Sequence, residues 1–152
     1  RKITNRNKPM FEKGGISYVY FIYGNYYCFN VVTECKGVGA AVLIRAVEPI
    51  KGVDIMRKNR NHPKKDRDIS NGPSKFCMAF GINKLDNELD LNKSSIVIRD
   101  SKIQNRFTIA VTKRIGIKEG TELPYRFIIK DNPYITKHKF NNEILNEIIL
   151  WK

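Results

Sequence analysis

The segment Tyr18-Val19-Tyr20-Phe21-Ile22-Tyr23-Gly24-Asn25-Tyr26-Tyr27-Cys28-Phe29-Asn30 gathers the side chains best suited to act on flat, π-faced molecules. It holds five of the chain's seven tyrosines. Aromatic rings stack on nucleobases whatever their identity, at roughly 1–3 kcal/mol per base. The formal net charge is +13, from 28 lysines and arginines against 15 acidic residues. Such a balance implies a polyanionic partner: DNA, RNA or an anionic membrane surface. Charge would draw in the phosphates while the rings compete for the base faces. The same rings could equally form an ordinary core, and composition leaves both readings open.

Other reactive side chains are sparse. Arg45 alone interrupts the apolar run Gly39–Val47, and a guanidinium there needs either a structural ion partner or a polar task. The three cysteines, Cys28, Cys35 and Cys77, are odd in number and lack C-x-x-C spacing. Neither a disulfide framework nor a thiolate zinc site is expected, and a reducing compartment fits best. His62 and His138 have no acidic or thiol neighbour, so both read as surface histidines and neither a metal nor a cofactor is implied. The Gly37-x-Gly39 pair enters a strand and reads as a turn. No apolar run approaches the roughly 20 residues of a spanning helix, and no signal-peptide pattern is present. Membrane insertion and secretion are therefore not expected and a cytoplasmic location fits; where the polyanion is DNA, the location is nucleoid-associated or nuclear and no membrane partner is called for.

These residues need elements to hold them. Two β-rich runs around the Gly24-Asn25 break predict a hairpin at about 17–34. Gly39–Val47 predicts an apolar strand. Pro49 in a first turn, with Val53 and Met56 on one face, predicts a helix to about Lys58. The basic stretch Arg57–Asp68, broken by Pro63, reads as an exposed loop. Gly72-Pro73 opens a second helix, Pro73–Phe80, which Gly81 stops. Lys75 lies in its first turn, where free N–H groups favour anions. Short strands are predicted at Ser95–Arg99, Phe107–Thr112 and Tyr125–Lys130. Ile144, Leu145, Ile148 and Ile149 recur at helical spacing behind Asn141 or Asn142, predicting a closing amphipathic helix over 141–151. The sum is one α+β domain: a mostly antiparallel curved sheet with a protruding aromatic hairpin and flanking helices.

Three segments together, Tyr18–Asn30 (YVYFIYGNYYCFN), Val42–Pro49 (VLIRAVEP) and Gly72–Lys75 (GPSK), resemble the alkyladenine (3-methyladenine) DNA glycosylase family. Thr4–Phe11, Arg114-Ile115-Gly116 and Arg126-Phe127 fit in order, so the resemblance runs from Arg1 to about Ile135. It implies flipping of damaged purines, such as 3-methyladenine and hypoxanthine, out of double-stranded DNA and hydrolysis of the N-glycosidic bond. Tyr23 matches the tyrosine that intercalates into the vacated space, and Tyr20 a ring that stacks on the flipped base. Asn30 matches the asparagine that discriminates against the exocyclic amine of guanine. Arg45 matches the arginine that helps hold the attacking water, and the carbonyl of Ile115 a second acceptor for it. Thr4, Asn25, Tyr26 and Lys75 match positions that approach the DNA. Monomeric action is implied, since one lesion needs one pocket.

Two consequences follow from the resemblance. Tyr20 and Asn30 can line one pocket only if they share a sheet face, which a three-residue loop Gly24–Tyr26 achieves by setting Tyr20 directly opposite Asn30. The family's general base is a glutamate upstream of the Thr4–Phe11 match, and no residue here matches it. Glu12, Glu34 and Glu48 read as exposed or capping carboxylates. The expectation is a single glycosylase-like domain over 1–152 lacking an N-terminal segment, with water rather than a lysine amine as nucleophile. A non-catalytic DNA- or RNA-binding module is the alternative.

Overall fold

Alternating aromatic and β-branched residues pair as antiparallel ladders, and in the computed structural model, which describes residues 2–100 and 106–150, they do so at the hairpin. Strands β1 (Ser17–Ile22) and β2 (Tyr26–Val32) form it, and β3 (Ala41–Leu43) adds to the far side of β2 in the order β1-β2-β3. Tyr23 and Gly24 both adopt positive φ, 53° and 78°. The loop therefore consists of Tyr23, Gly24 and Asn25, one residue earlier than expected, and Tyr26 already belongs to β2.

That shift corrects the predicted register. Tyr20 lies opposite Cys28, and Asn30 opposite Tyr18. The displacement is two residues, an even number, so Tyr20 and Asn30 keep a common face even though they are diagonal neighbours.

β3 is shorter than the predicted Gly39–Val47 strand. Ile44 still donates to the Phe29 carbonyl at 3.1 Å, but Val47 bonds Ser70 instead, through its N–H at 3.4 Å and its carbonyl at 2.6 Å. The chain thus leaves the sheet toward helix α2 (Pro73–Phe80), which has the predicted bounds, with Gly81 at φ 70° terminating it. Helix α1 (Val53–Asn59) begins later than Pro49 because Gly52, at φ 71°, breaks helical continuity. Ser95–Arg99 forms no strand; Ile98 donates back to the Leu91 carbonyl at 2.9 Å, and Ser94 Oγ to the Ile96 carbonyl at 3.0 Å. The core lies between α2 and one face of the sheet, where Val19, Phe29, Phe76, Cys77, Ile82 and Leu91 pack together. Phe29 meets Phe76 edge-on at 5.9 Å, a favoured geometry for aromatic pairs.

Arg1–Arg99 and Asp100–Lys152 form separate compact units. The second is an antiparallel sheet in the order β5-β4-β6, from β4 (Phe107–Thr112), β5 (Arg126–Ile129) and β6 (Asn146–Leu150). β6 replaces the predicted C-terminal helix. Its isoleucines lose rotamer freedom in a helix and suit a pleated surface, and β4 offers an edge on which Ile148 meets Ile109 and Leu150 meets Phe107. Helical spacing yielded to tertiary pairing. The content is α+β with antiparallel sheets, as expected, but divided into two three-stranded sheets.

Arg126, 4 % exposed, anchors the second unit. It donates to Thr112 Oγ1 at 2.9 Å, Thr136 O at 3.2 Å and Asn141 Oδ1 at 2.7 Å. Arg126→Ala would strand these acceptors, and a loss of about 3 kcal/mol in urea unfolding is expected.

Candidate nucleic-acid interface

The sheet separates two environments. One face, with Val19 and Phe29, is sealed by α2. Alternation along the ladders puts Tyr18, Tyr20 and Ile22 of β1, Tyr26, Cys28 and Asn30 of β2, and Leu43 of β3 on the other. Two residues beyond Leu43, Arg45 continues that face. Its Nε is buried, and its positive charge acts on the Cys28 thiol. Tyr20, Cys28, Asn30 and Arg45 are thereby brought together on one surface.

Each is held in a particular way. Asn30 is 6 % exposed, and its Nδ2 donates to the Tyr18 carbonyl at 2.9 Å, which fixes the amide plane. Tyr20 is half-buried, 5.2 Å from the Tyr18 ring and tilted 36° to it. The Arg6 guanidinium lies over the Tyr20 ring at 4.9 Å and donates to the Phe21 carbonyl at 3.1 Å, a cation–π contact on the ring's electron-rich face. Burial, reinforced by the Cys28 thiol, pushes the Tyr20 hydroxyl up to about 12. Burial also raises Cys28, opposed by its hydrogen bond to Tyr20 and by Arg45 and Arg6. Both groups are therefore neutral near pH 7: the surface offers polar but uncharged partners beside a fixed cation.

Tyr23 occupies the hairpin tip and is 78 % exposed. Asn25 is exposed beside it, and Tyr26, paired with Ile22, is half-exposed. Within the aromatic segment Tyr18 and Phe29 are buried core, whereas Tyr23 and Phe21 are exposed. Thr4 is exposed and shares reciprocal bonds with Asn7, at 2.6 Å from its N–H and 3.3 Å to its Oγ1. Lys75 is half-buried, with Nζ donating to Asn71 Oδ1 at 2.7 Å, so it is held in place at the start of α2. Ile115 belongs to the second unit and is 6 % exposed. Glu12 pairs with Lys36 at 3.3 Å, and Glu34 and Glu48 are exposed. Among the described residues no cluster of His, Cys, Asp and Glu could hold a metal ion, and no helix is long and apolar enough to cross a membrane.

Sequence reasoning missed Cys28 and Arg6 as parts of this surface. Alternation alone places Cys28 between Tyr26 and Asn30, so that signal was available. Arg6 stacks across a turn from a distant segment, and no local pattern marks it.

The thiols give a direct check. Cys35 is exposed while Cys28 and Cys77 are buried. A disulfide reagent near pH 8 should modify one thiol of the native protein and all three only in denaturant. Burial raises Cys77 to about 12 from its ordinary 9.0, and Tyr20 likewise from 10.0. The unfolded chain releases these protons first. Stability should therefore be intact below about pH 9 and decline as pH rises toward 12. Melting temperatures across that range test the sign, and Cys77→Ala should flatten part of the decline.

Charge and an aromatic loop beside a polar surface leave the class of protein open, and comparison supplies it. Residues 1–133 match the family model of methylpurine-DNA glycosylase (MPG). A Francisella tularensis protein named "Putative 3-methyladenine DNA glycosylase" is 47% identical over 137 residues, covering 88% of this chain and 70% of its own. A Clostridium botulinum protein of that name is 47% identical over 145 residues, covering 88% and 71%. One from Alkaliphilus oremlandii is 45% identical over 146 residues, covering 90% and 72%. The chain belongs to the methylpurine-DNA glycosylase family, a family of DNA repair glycosylases.

Proposed function

We propose that the protein is a monofunctional glycosylase acting on damaged purines in duplex DNA, 3-methyladenine and hypoxanthine among them, in base excision repair. The observation that carries this reading is the shared face of Tyr20, Asn30 and Arg45 below a tip where Tyr23 is 78 % exposed. Tyr23 enters the stack through the minor groove and replaces the flipped nucleotide; a flat, stiff side chain with a polar end suits that place. Tyr20 stacks on the extruded base. Asn30, its amide pinned by Tyr18, rejects an exocyclic amine that would leave buried groups unpaired. Arg45 orients the water that attacks the sugar carbon, and the Ile115 carbonyl keeps the acceptor role that the resemblance gives it. Thr4, Asn25, Tyr26 and Lys75 meet the DNA backbone and groove. The protein acts as a monomer, without cofactor, wherever the chromosome lies. None of the carboxylates in the 152 residues is assigned the general base.

A duplex with one hypoxanthine tests the reading. Free hypoxanthine and an abasic site are expected, with no adduct trapped by borohydride. Binding with no base release at all, not even at the roughly 10²–10⁴-fold slower rate left without a general base, would favour the non-catalytic nucleic-acid-binding module instead. Affinity for undamaged duplex should fall steeply between 50 and 200 mM salt as phosphate counterions compete.

A further inference from the structure

Helix α1 and the loop that follows it carry charge that the pocket does not use. From Lys51 to Asp68 there are seven lysines and arginines against three aspartates. Two arginines are engaged internally. Arg57 pairs with Asp66, while Arg60 Nε donates to the Ile69 carbonyl at 3.0 Å and its Nη1 lies 3.5 Å from Met78 Sδ. Directly after Arg60, Asn61 and His62 take φ of 52° and 53°, and His62 N–H donates to the Arg57 carbonyl at 2.8 Å. The loop is thus tied at both ends and folded back on itself; Lys58 at the end of α1 and Lys64 and Lys65 within the loop are exposed. A tied loop loses less entropy on binding than a free basic tail.

Its position is separate from the pocket. Asn59 Nδ2 donates to the Ala79 carbonyl at 3.0 Å, so α1 packs on α2, and α2 packs on the sheet face of Val19 and Phe29. Tyr20, Asn30 and Arg45 lie on the opposite face. We propose that Lys58, Lys64 and Lys65 form a second DNA-backbone contact, which holds a further stretch of undamaged duplex while the hairpin engages its own. The inference rests on membership of a DNA glycosylase family and not on the flipping mechanism. DNA is favoured over lipid because the chain belongs to a family of DNA glycosylases, and the seven-residue α1 that carries Lys58 exposes one large apolar side chain, Ile55, too little apolar surface to anchor in a bilayer.

The test uses the whole chain, bound at saturation to an immobilised hypoxanthine duplex and offered a labelled undamaged duplex. Capture of the second duplex is expected. The variant Lys58→Gln/Lys64→Gln/Lys65→Gln should hold the immobilised duplex as tightly as the parent yet capture the second at least tenfold less. The salt slope of capture should fall by about 2–3, near 0.9 per lost phosphate contact. The three single variants, each expected to remove about a third of that slope, cover poor folding of the triple one. Absence of capture by the parent, capture unchanged in the variants, or equal weakening of both duplexes would overturn the proposal. So would lysine-dependent binding to anionic phospholipid vesicles in preference to DNA. Capture needs no base release, so an inactive pocket with intact capture defeats the excision reading alone.

Discussion

Arg45→Ala is expected to slow single-turnover base release by about 10²–10³-fold, the usual effect of removing one preorganised donor from a reacting centre. The argument is local. The guanidinium emerges two residues past Leu43 on the face that carries Tyr20 and Asn30, and its Nε is buried. There it can hold a water or a developing charge at little reorganisation cost. Binding of a lesion duplex should change by less than tenfold, because Arg45 lies within the sheet surface and not at the exposed tip. Arg45→Lys separates charge from geometry. A lysine keeps the cation but not the planar fork, so most of the loss should persist. A rate equal to the parent's in the alanine variant would remove Arg45 from the chemistry.

Tyr23→Ala should act on a different step. With its ring 78 % exposed and its backbone at φ 53°, Tyr23 contributes little to the core, and melting should be nearly unchanged. Loss of one stacked ring from the DNA is worth about 1–3 kcal/mol, a decrease of roughly 5–150-fold in the population of flipped nucleotide. A fluorescent purine analogue placed at the lesion would report it. Tyr23→Phe keeps the flat ring and should retain most of the flipping. If phenylalanine were as damaging as alanine, the hydroxyl and not the wedge would be the working part. If alanine had no effect, the tip would be a passive loop. The Arg45 and Tyr23 variants therefore fail on separate observables, one on rate after flipping and one on flipping itself.

The sequence by itself determined the hairpin, helix α2 and strand β4, because the signals there are local: alternation around a Gly-Asn break, Pro73 and Gly81 bracketing eight residues, and a β-branched run. It also named Tyr20, Asn30 and Arg45 together, through the resemblance, and strand parity stated the register under which Tyr20 and Asn30 share a face. The tertiary structure decided what depends on distant groups. Left-handed Tyr23 moved the loop by one residue and set Tyr20 against Cys28 rather than Asn30. The open edge of β4 turned the Ile144–Ile149 periodicity into strand β6, and Ser70 drew Val47 away from the sheet. Arg6 reached the Tyr20 ring only because the chain folded back over it. Short-range conformational preferences are written residue by residue, whereas pairing energy belongs to whichever surface the rest of the chain leaves open, and only the folded molecule says which that is.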